Sequence, residues 1–462
     1  MKKTLSKTLL FSAWTTFIIA GIVVGAGSRP PRPSEGRLQA KVDAGTNRGA
    51  NEVRLAFPAF QPKTNDPNLI KLANLFNQVV WDDLDYSGNI VLVSRSFYPA
   101  GKFVDSPDIH PDDWTKPGVN AQYIAFGGME IVGGALQITE QLWDLGIVTN
   151  RELIAERART GADTDSARLA AHMFADKIVD RLFGGHIGIA QTKIAYVAAA
   201  PNNNKEIHVM DYDGANDYAL TNYRSTSIMP SWSPDGAKVA FITYRKTYPD
   251  IEIMNVLDRR MYDFPVFHSS TETPSFSPDG SQIAYATIAD NNMELFVADW
   301  NGKNPRRLTV NKAIDISPSW DPKTGRKIAF VSDRSGSQQI YMMDSDGTNV
   351  ERIINEGGDA ENPSWSPDGQ FIAFAWKRPG THYDIWIHDL ATGKHSQLTH
   401  DEGDNERPSW APDARHLVFT SNRSGRSQIY SIIADGHKLR QLTKGGSNEG
   451  PAWSSFTGNN GK

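Results

Sequence analysis

One heptapeptide constrains this chain more than any other feature, because it is written six times. Pro363-Ser-Trp-Ser-Pro-Asp-Gly369 has counterparts beginning at Pro230, Pro274, Pro318, Pro408 and Pro451. Their aromatic residues, Trp232, Phe276, Trp320, Trp365, Trp410 and Trp453, stand 44, 44, 45, 45 and 43 residues apart. A period of about 40–45 residues with short strands inside it marks the blades of a β-propeller.

A single unit supports that reading. Ser-Pro-Asp-Gly369 is a turn, with Pro presetting φ and Gly taking the left-handed position. Strands are predicted at Phe371–Ala375, Asp384–His388 and Ser396–Thr399, joined by Lys377-Arg-Pro-Gly380 and Ala391-Thr-Gly393. With the Pro-Ser-Trp element this makes four short antiparallel strands. The first recognisable strand, Lys193–Val197, has no Pro-Ser-Trp before it, and the last element, Pro451–Ser454, has no strands after it. Residues 451–454 are therefore expected to supply the inner strand of the blade begun at 193, closing a six-bladed propeller over residues 189–462.

The rest of the 462 residues reads differently. Lys2, Lys3 and Lys7 precede an apolar run from Leu9 to Ala26 ending in Val24-Gly-Ala26, the form of a secretory signal peptide over residues 1–28, with an uncleaved anchor as the alternative. Residues 29–50 are rich in Pro, Gly and charge and read as a flexible linker. Residues 51–188 read as a small α/β domain. Its strands are predicted at Glu52–Phe57, Asn89–Ser94, Tyr123–Phe126 and Ala135–Ile138. Helices are predicted from Pro67 to Leu84, behind Asp66 as a cap, and from Asp165 to Phe183, with Ala170, Met173, Phe174, Ile178 and Leu182 on one face.

The sequence offers little chemistry of the catalytic kind. There is no cysteine, hence no disulfide or thiolate metal site, and a net charge of −5 gives no nucleic-acid footprint. No G-x-S-x-G elbow occurs. Asp211-Tyr-Asp-Gly214 and Asp344-Ser-Asp-Gly347 place Gly too early for a calcium loop and read as hairpin turns. His388, His395 and His400 lack the spacing of convergent metal ligands. His172 and Asp176 lie one helical turn apart, positioned to pair or to dock against the propeller. No cofactor and no metal site is expected.

One constellation stands apart. Two residues before the Pro of each unit are Ile228, Glu272, Ile316, Glu361, Glu406 and Glu449. Propeller symmetry should gather these positions around one mouth of the central channel, with Arg407 as a nearby base. Four carboxylates there would steer a partner bearing basic and polar groups.

The succession of signal, small α/β domain and six Pro-Ser-Trp blades resembles the TolB family of the Tol–Pal envelope system. So does the junction Arg168-Leu-Ala-Ala-His172 … Ala175-Asp176, followed by Thr192-Lys-Ile-Ala-Tyr-Val197. The resemblance runs over roughly residues 52–454 and implies a periplasmic, non-enzymatic adaptor, monomeric and without nucleic-acid partners. Such an adaptor binds a peptidoglycan-associated lipoprotein (Pal) at the channel face and TolA through the N-terminal end of the mature chain. The resemblance also implies roles in outer-membrane integrity and cell-division constriction. The family's His-containing loop corresponds to Phe267-His-Ser-Ser-Thr-Glu272, which adds His268 to the partner-binding candidates Glu272, Glu361, Glu406, Arg407 and Glu449. Two alternatives come from other classes: a peptidase gated by its propeller, and a propeller that binds a polymer or sugar.

Overall fold

The computed structural model describes residues 52–184, 188–200, 204–265, 269–400 and 403–455. The signal and linker readings, and His268, lie outside the described residues. Among the described residues each repeat is a four-stranded antiparallel sheet, and there are six. Blade 1 combines Asn448–Trp453 with Lys193–Ala199, Lys205–Asp211 and Tyr218–Ala219. The inner strands of blades 2 to 6 are Ser227–Trp232, Thr271–Phe276, Asp315–Trp320, Asp359–Trp365 and Asn405–Trp410. Each inner strand touches the inner strands of both flanking blades, and the circuit closes between blades 6 and 1. A closed ring of blades protects strand edges and leaves a central channel.

The Pro-Ser-Trp signature works between blades. The indole Nε1 of Trp232, Trp320 and Trp410 donates to a carbonyl on the preceding blade's inner strand: Ala452 at 3.0 Å, Ser275 at 3.1 Å and Ser364 at 3.1 Å. The Ser hydroxyls answer in the same direction. Ser319, Ser364 and Ser409 accept the backbone N–H of Trp365, Trp410 and Trp453 at 3.2, 3.4 and 2.9 Å. The following Ser-Pro-Asp-Gly is a closed turn, in which Ser366 Oγ donates to Asp368 at 2.6 Å and accepts from Phe371 N at 2.9 Å.

Each inner strand is also bulged at one place. In blade 2, Ile228 pairs with Ile242 and Ser231 with Ala240, so that Met229 and Pro230 stand opposite one residue. The residue before each Pro takes a left-handed φ in every blade: Met229 56°, Thr273 51°, Ser317 56°, Asn362 53°, Arg407 54° and Gly450 58°. A bulge of this kind takes a side chain out of the ladder and re-aims it.

The N-terminal domain is a mixed sheet ordered β3-β1-β4-β5-β6: β1 (Val53–Ala56), β3 (Ile90–Leu92), β4 (Tyr123–Val132), β5 (Ala135–Asp144) and β6 (Glu152–Gly161). A short β2 (Gln61–Pro62) pairs with β4. Helices α1 (Pro67–Tyr86) and α3 (Thr164–Phe183) pack against the sheet, and a five-residue α2 (Pro111–Thr115) lies between them in sequence. Asp66 caps α1 by accepting from Asn68 N at 2.7 Å, and Gly184 ends α3 at φ 60°. The core interlocks Phe60, Phe76 and Phe174, with Phe60 centred 5.0 Å from Phe76 and 5.4 Å from Phe174. The face of α3 differs from the sequence reading. Met173 is 42% exposed, and the buried face of α3 carries His172 and Asp176 instead.

Among the described residues no helix is long and apolar enough to cross a membrane.

Candidate functional site

The polar face of α3 and the end of α1 meet the propeller at blades 1 and 6. His172 Nδ1 lies 2.7 Å from Asp83 Oδ2, and Tyr212 on blade 1 donates its hydroxyl to the other oxygen of the same carboxylate. Arg168 reaches Asp213 and Asp211. Tyr86 donates to Ser431 Oγ at 2.7 Å, its carbonyl stands 2.9 Å from His416 Nε2, and Arg440 stacks 3.8 Å above its ring. At Gly88 a Cβ would stand 2.7 Å from the Ile433 side chain, so the loop after α1 can lie this close only without one. His172 and Asp176 therefore do not pair with each other. Asp176 accepts the N–H of Ala190 and Gln191, at 3.0 and 3.2 Å, and pins the passage into blade 1. Burial pushes the Asp176 carboxyl up to about 6. At His172 burial pulls the pKa down, but Asp83 outweighs it and the net shift is upward.

All these contacts lie at the end of the blades where inner strands finish and third strands end, as Asp211 and Ile433 do. The four carboxylates sit at the opposite end, second or third in their inner strands, on the face the α/β domain leaves open. Glu361, Glu406 and Glu449 come from three consecutive blades, and Glu272 stands apart between Ile228 and Ile316.

These groups are half-buried. Burial raises the pKa of Glu272, Glu361 and Glu406, and the Arg407 guanidinium pulls all three back. Glu361 accepts from Tyr383 Oη at 2.7 Å, and Glu449 is paired with Lys205. Glu406, the middle one of the three consecutive carboxylates, also feels Glu361 and Glu449 on either side. Lys205 and Tyr383 have no counterpart in the repeat signature, which is why sequence reasoning missed them.

The other candidates remain apart. His388 and His395 face each other across an outer hairpin, Nδ1 to Nδ1 3.0 Å, on the third and fourth strands of the blade, whereas the rim residues lie on inner strands. Asp211 is held by Lys193, Arg168 and Asn216 within a hairpin turn. Among the described residues no group of three or more His, Cys, Asp or Glu is placed to hold a metal ion.

The family model of the TolB β-propeller domain matches residues 180–375 and 353–460. The chain belongs to that family. A Tol-Pal system protein TolB of Desulfosudis oleivorans is 31% identical over 213 residues, covering 46% of this chain and 47% of its own. Another, from Anaeromyxobacter dehalogenans, is 34% identical over 251 residues, 54% of each chain. The chain thus spans about half the length of the TolB relatives it matches. The crystal structure of TolB from Acinetobacter baumannii superposes with a TM-score of 0.73 at 24% identity, over 87% of this chain and 97% of that one. That likeness is one of fold, α/β domain included.

Proposed function

We propose that this TolB-family chain is a periplasmic adaptor without catalytic activity, whose open propeller face receives a Pal-like lipoprotein. The N-terminal end of its mature form contacts TolA, and the assembly serves outer-membrane integrity and constriction at division. The observation that carries the reading is the carboxylate rim of Glu272, Glu361, Glu406 and Glu449 on the face opposite the docked domain. Half-buried charge at a channel mouth is poised to attract a basic partner and gains strength as the partner excludes water. The repeated aromatics give no support to a sugar-binding platform, since Trp232, Trp320 and Trp410 are buried and use their N–H between blades.

The test replaces all four glutamates by Gln and measures association with the soluble domain of the Pal-like lipoprotein from the same cell. The variant should bind more slowly at low salt, with the difference shrinking as salt screens the rim. A wild-type rate at low salt would remove the rim from the interface and direct the search to the α/β domain.

A further inference from the structure

The ring one residue deeper than the carboxylates consists of Met229, Thr273, Ser317, Asn362, Arg407 and Gly450, the six bulge residues with left-handed φ. They communicate around the channel: the Ser317 N–H donates to Thr273 Oγ1 at 3.1 Å. Only one of the six is charged and only one lacks a side chain, and those two are neighbours. Arg407 lies along Gly450, where a Cβ would stand 3.1 Å from its Nη1 and 3.5 Å from its Cδ. The missing side chain of blade 1 is the space the arginine of blade 6 occupies.

An arginine in a fixed ion pair presents its planar fork to a carboxylate in two parallel hydrogen bonds. Arg407 makes no such bond. Its field acts on Glu272, Glu361 and Glu406, from three blades, while no ion pair or hydrogen bond ties it to a described residue. A cation that serves three carboxylates without bonding to any is a counter-ion, free to leave when a better-placed cation arrives. We propose that Arg407 is an internal stand-in for the partner's basic group: it holds the seat over Gly450, and docking at the rim proceeds by displacing it. This rests on the adaptor reading of the rim and adds how the site is kept neutralised while empty. The partner group that fits is a lysine or arginine entering between Glu361 and Glu406, the two neighbouring carboxylates that Arg407 serves.

The test compares Arg407→Gln with wild type for association with the Pal-like soluble domain and, independently of that partner, with a pentalysine peptide. Removing the internal cation should raise the association rate about three- to tenfold at low salt for both probes, with the gain shrinking at high salt. Gly450→Ala puts a Cβ 3.1 Å from Nη1 and so pushes the guanidinium off its seat by a few tenths of an ångström with its charge retained. The five other ring positions carry side chains at the same φ, so it should fold, and it should move association in the same direction even where Arg407→Gln proves unstable. Unchanged or slower association of both probes overturns the displacement. So does faster pentalysine binding with slower lipoprotein binding, since Arg407 would then be pairing with a partner carboxylate. If wild type ignores the lipoprotein but Arg407→Gln still gains pentalysine, the adaptor reading fails while the role of Arg407 stands.

Discussion

At the scale of single residues, the repeat signature contains its own control. Trp410 and Trp365 occupy the same position in adjacent blades, yet Trp410 Nε1 reaches Ser364 O at 3.1 Å while Trp365 Nε1 is buried with no partner among the described residues. A buried donor left unpaired costs about 1–3 kcal/mol, and a typical made bond contributes about 1 kcal/mol. Both substitutions by Phe lose buried ring volume, but only Trp410→Phe also loses a hydrogen bond, so Trp410→Phe should cost about 1 kcal/mol or more beyond Trp365→Phe. Urea denaturation of the two variants checks the difference. The rim follows a related logic. Burial raises the native pKa of Glu272, Glu361 and Glu406, so the native state takes up protons before the unfolded chain does. Their contribution to stability then falls as pH rises from the ordinary carboxylate range through the raised native values. The four-fold Gln variant should melt at or above the wild-type temperature at neutral pH, and less advantageously at pH 4.

Among the elements, those that the sequence made legible are those repeated. Four strands every 43 to 45 residues, many of them bounded by a Ser-Pro-Asp-Gly or other Gly-containing turn, leave little freedom, and blade strands such as Phe371–Lys377 lie within two residues of the reading. β6 was not legible. Glu152, Glu156, Arg157 and Arg159 interrupt any alternation, and Ile154 is its one fully buried side chain, because it is an edge strand whose charges keep other strands away. The rim glutamates were legible because symmetry gathers equal positions. The domain junction was not, because Asp83, Tyr86, Tyr212, His416 and Ser431 meet across 129 to 345 positions of chain with no repeating pattern to announce them. The inner strand of blade 1 gives the sharpest prediction at this scale. Ending the chain after Gly450 removes Pro451 to Trp453 from a strand paired with Lys193–Ala199 and uncovers the cluster around Ile194 and Trp453. At about 25 cal/mol per Å² of apolar surface the loss should reach several kcal/mol. An unchanged denaturation midpoint would contradict the pairing.

For the whole molecule, the two propeller faces are assigned different tasks: one is clasped to the α/β domain and the other is open. The clasp titrates. His172 carries a native pKa above its ordinary value through Asp83, with Asp213 adding to the rise, Arg168 opposing it and Tyr212 sharing the carboxylate. Its stabilising share is complete below about pH 6.5 and is lost as pH rises through the raised native value. Asp176 acts in the same sense in a lower window, between about 3.9 and the native value of about 6. The clasp's share of stability should therefore decline with pH in two steps, and His172→Asn should abolish only the upper one, as read from urea midpoints across the acid and neutral range on both sides of these windows. The last consequence concerns time. Translation runs from the N-terminus, so blade 1 is begun first and finished last. Its inner strand arrives only with residues 448–453, and the bond from Trp453 to Thr192 spans 261 positions. Until then the strand at 193–199 has a bare edge, and no order of assembly among blades 2 to 6 can complete the ring. A chain stalled anywhere before its final inner strand carries that edge unpaired, the form in which strands from two copies find each other.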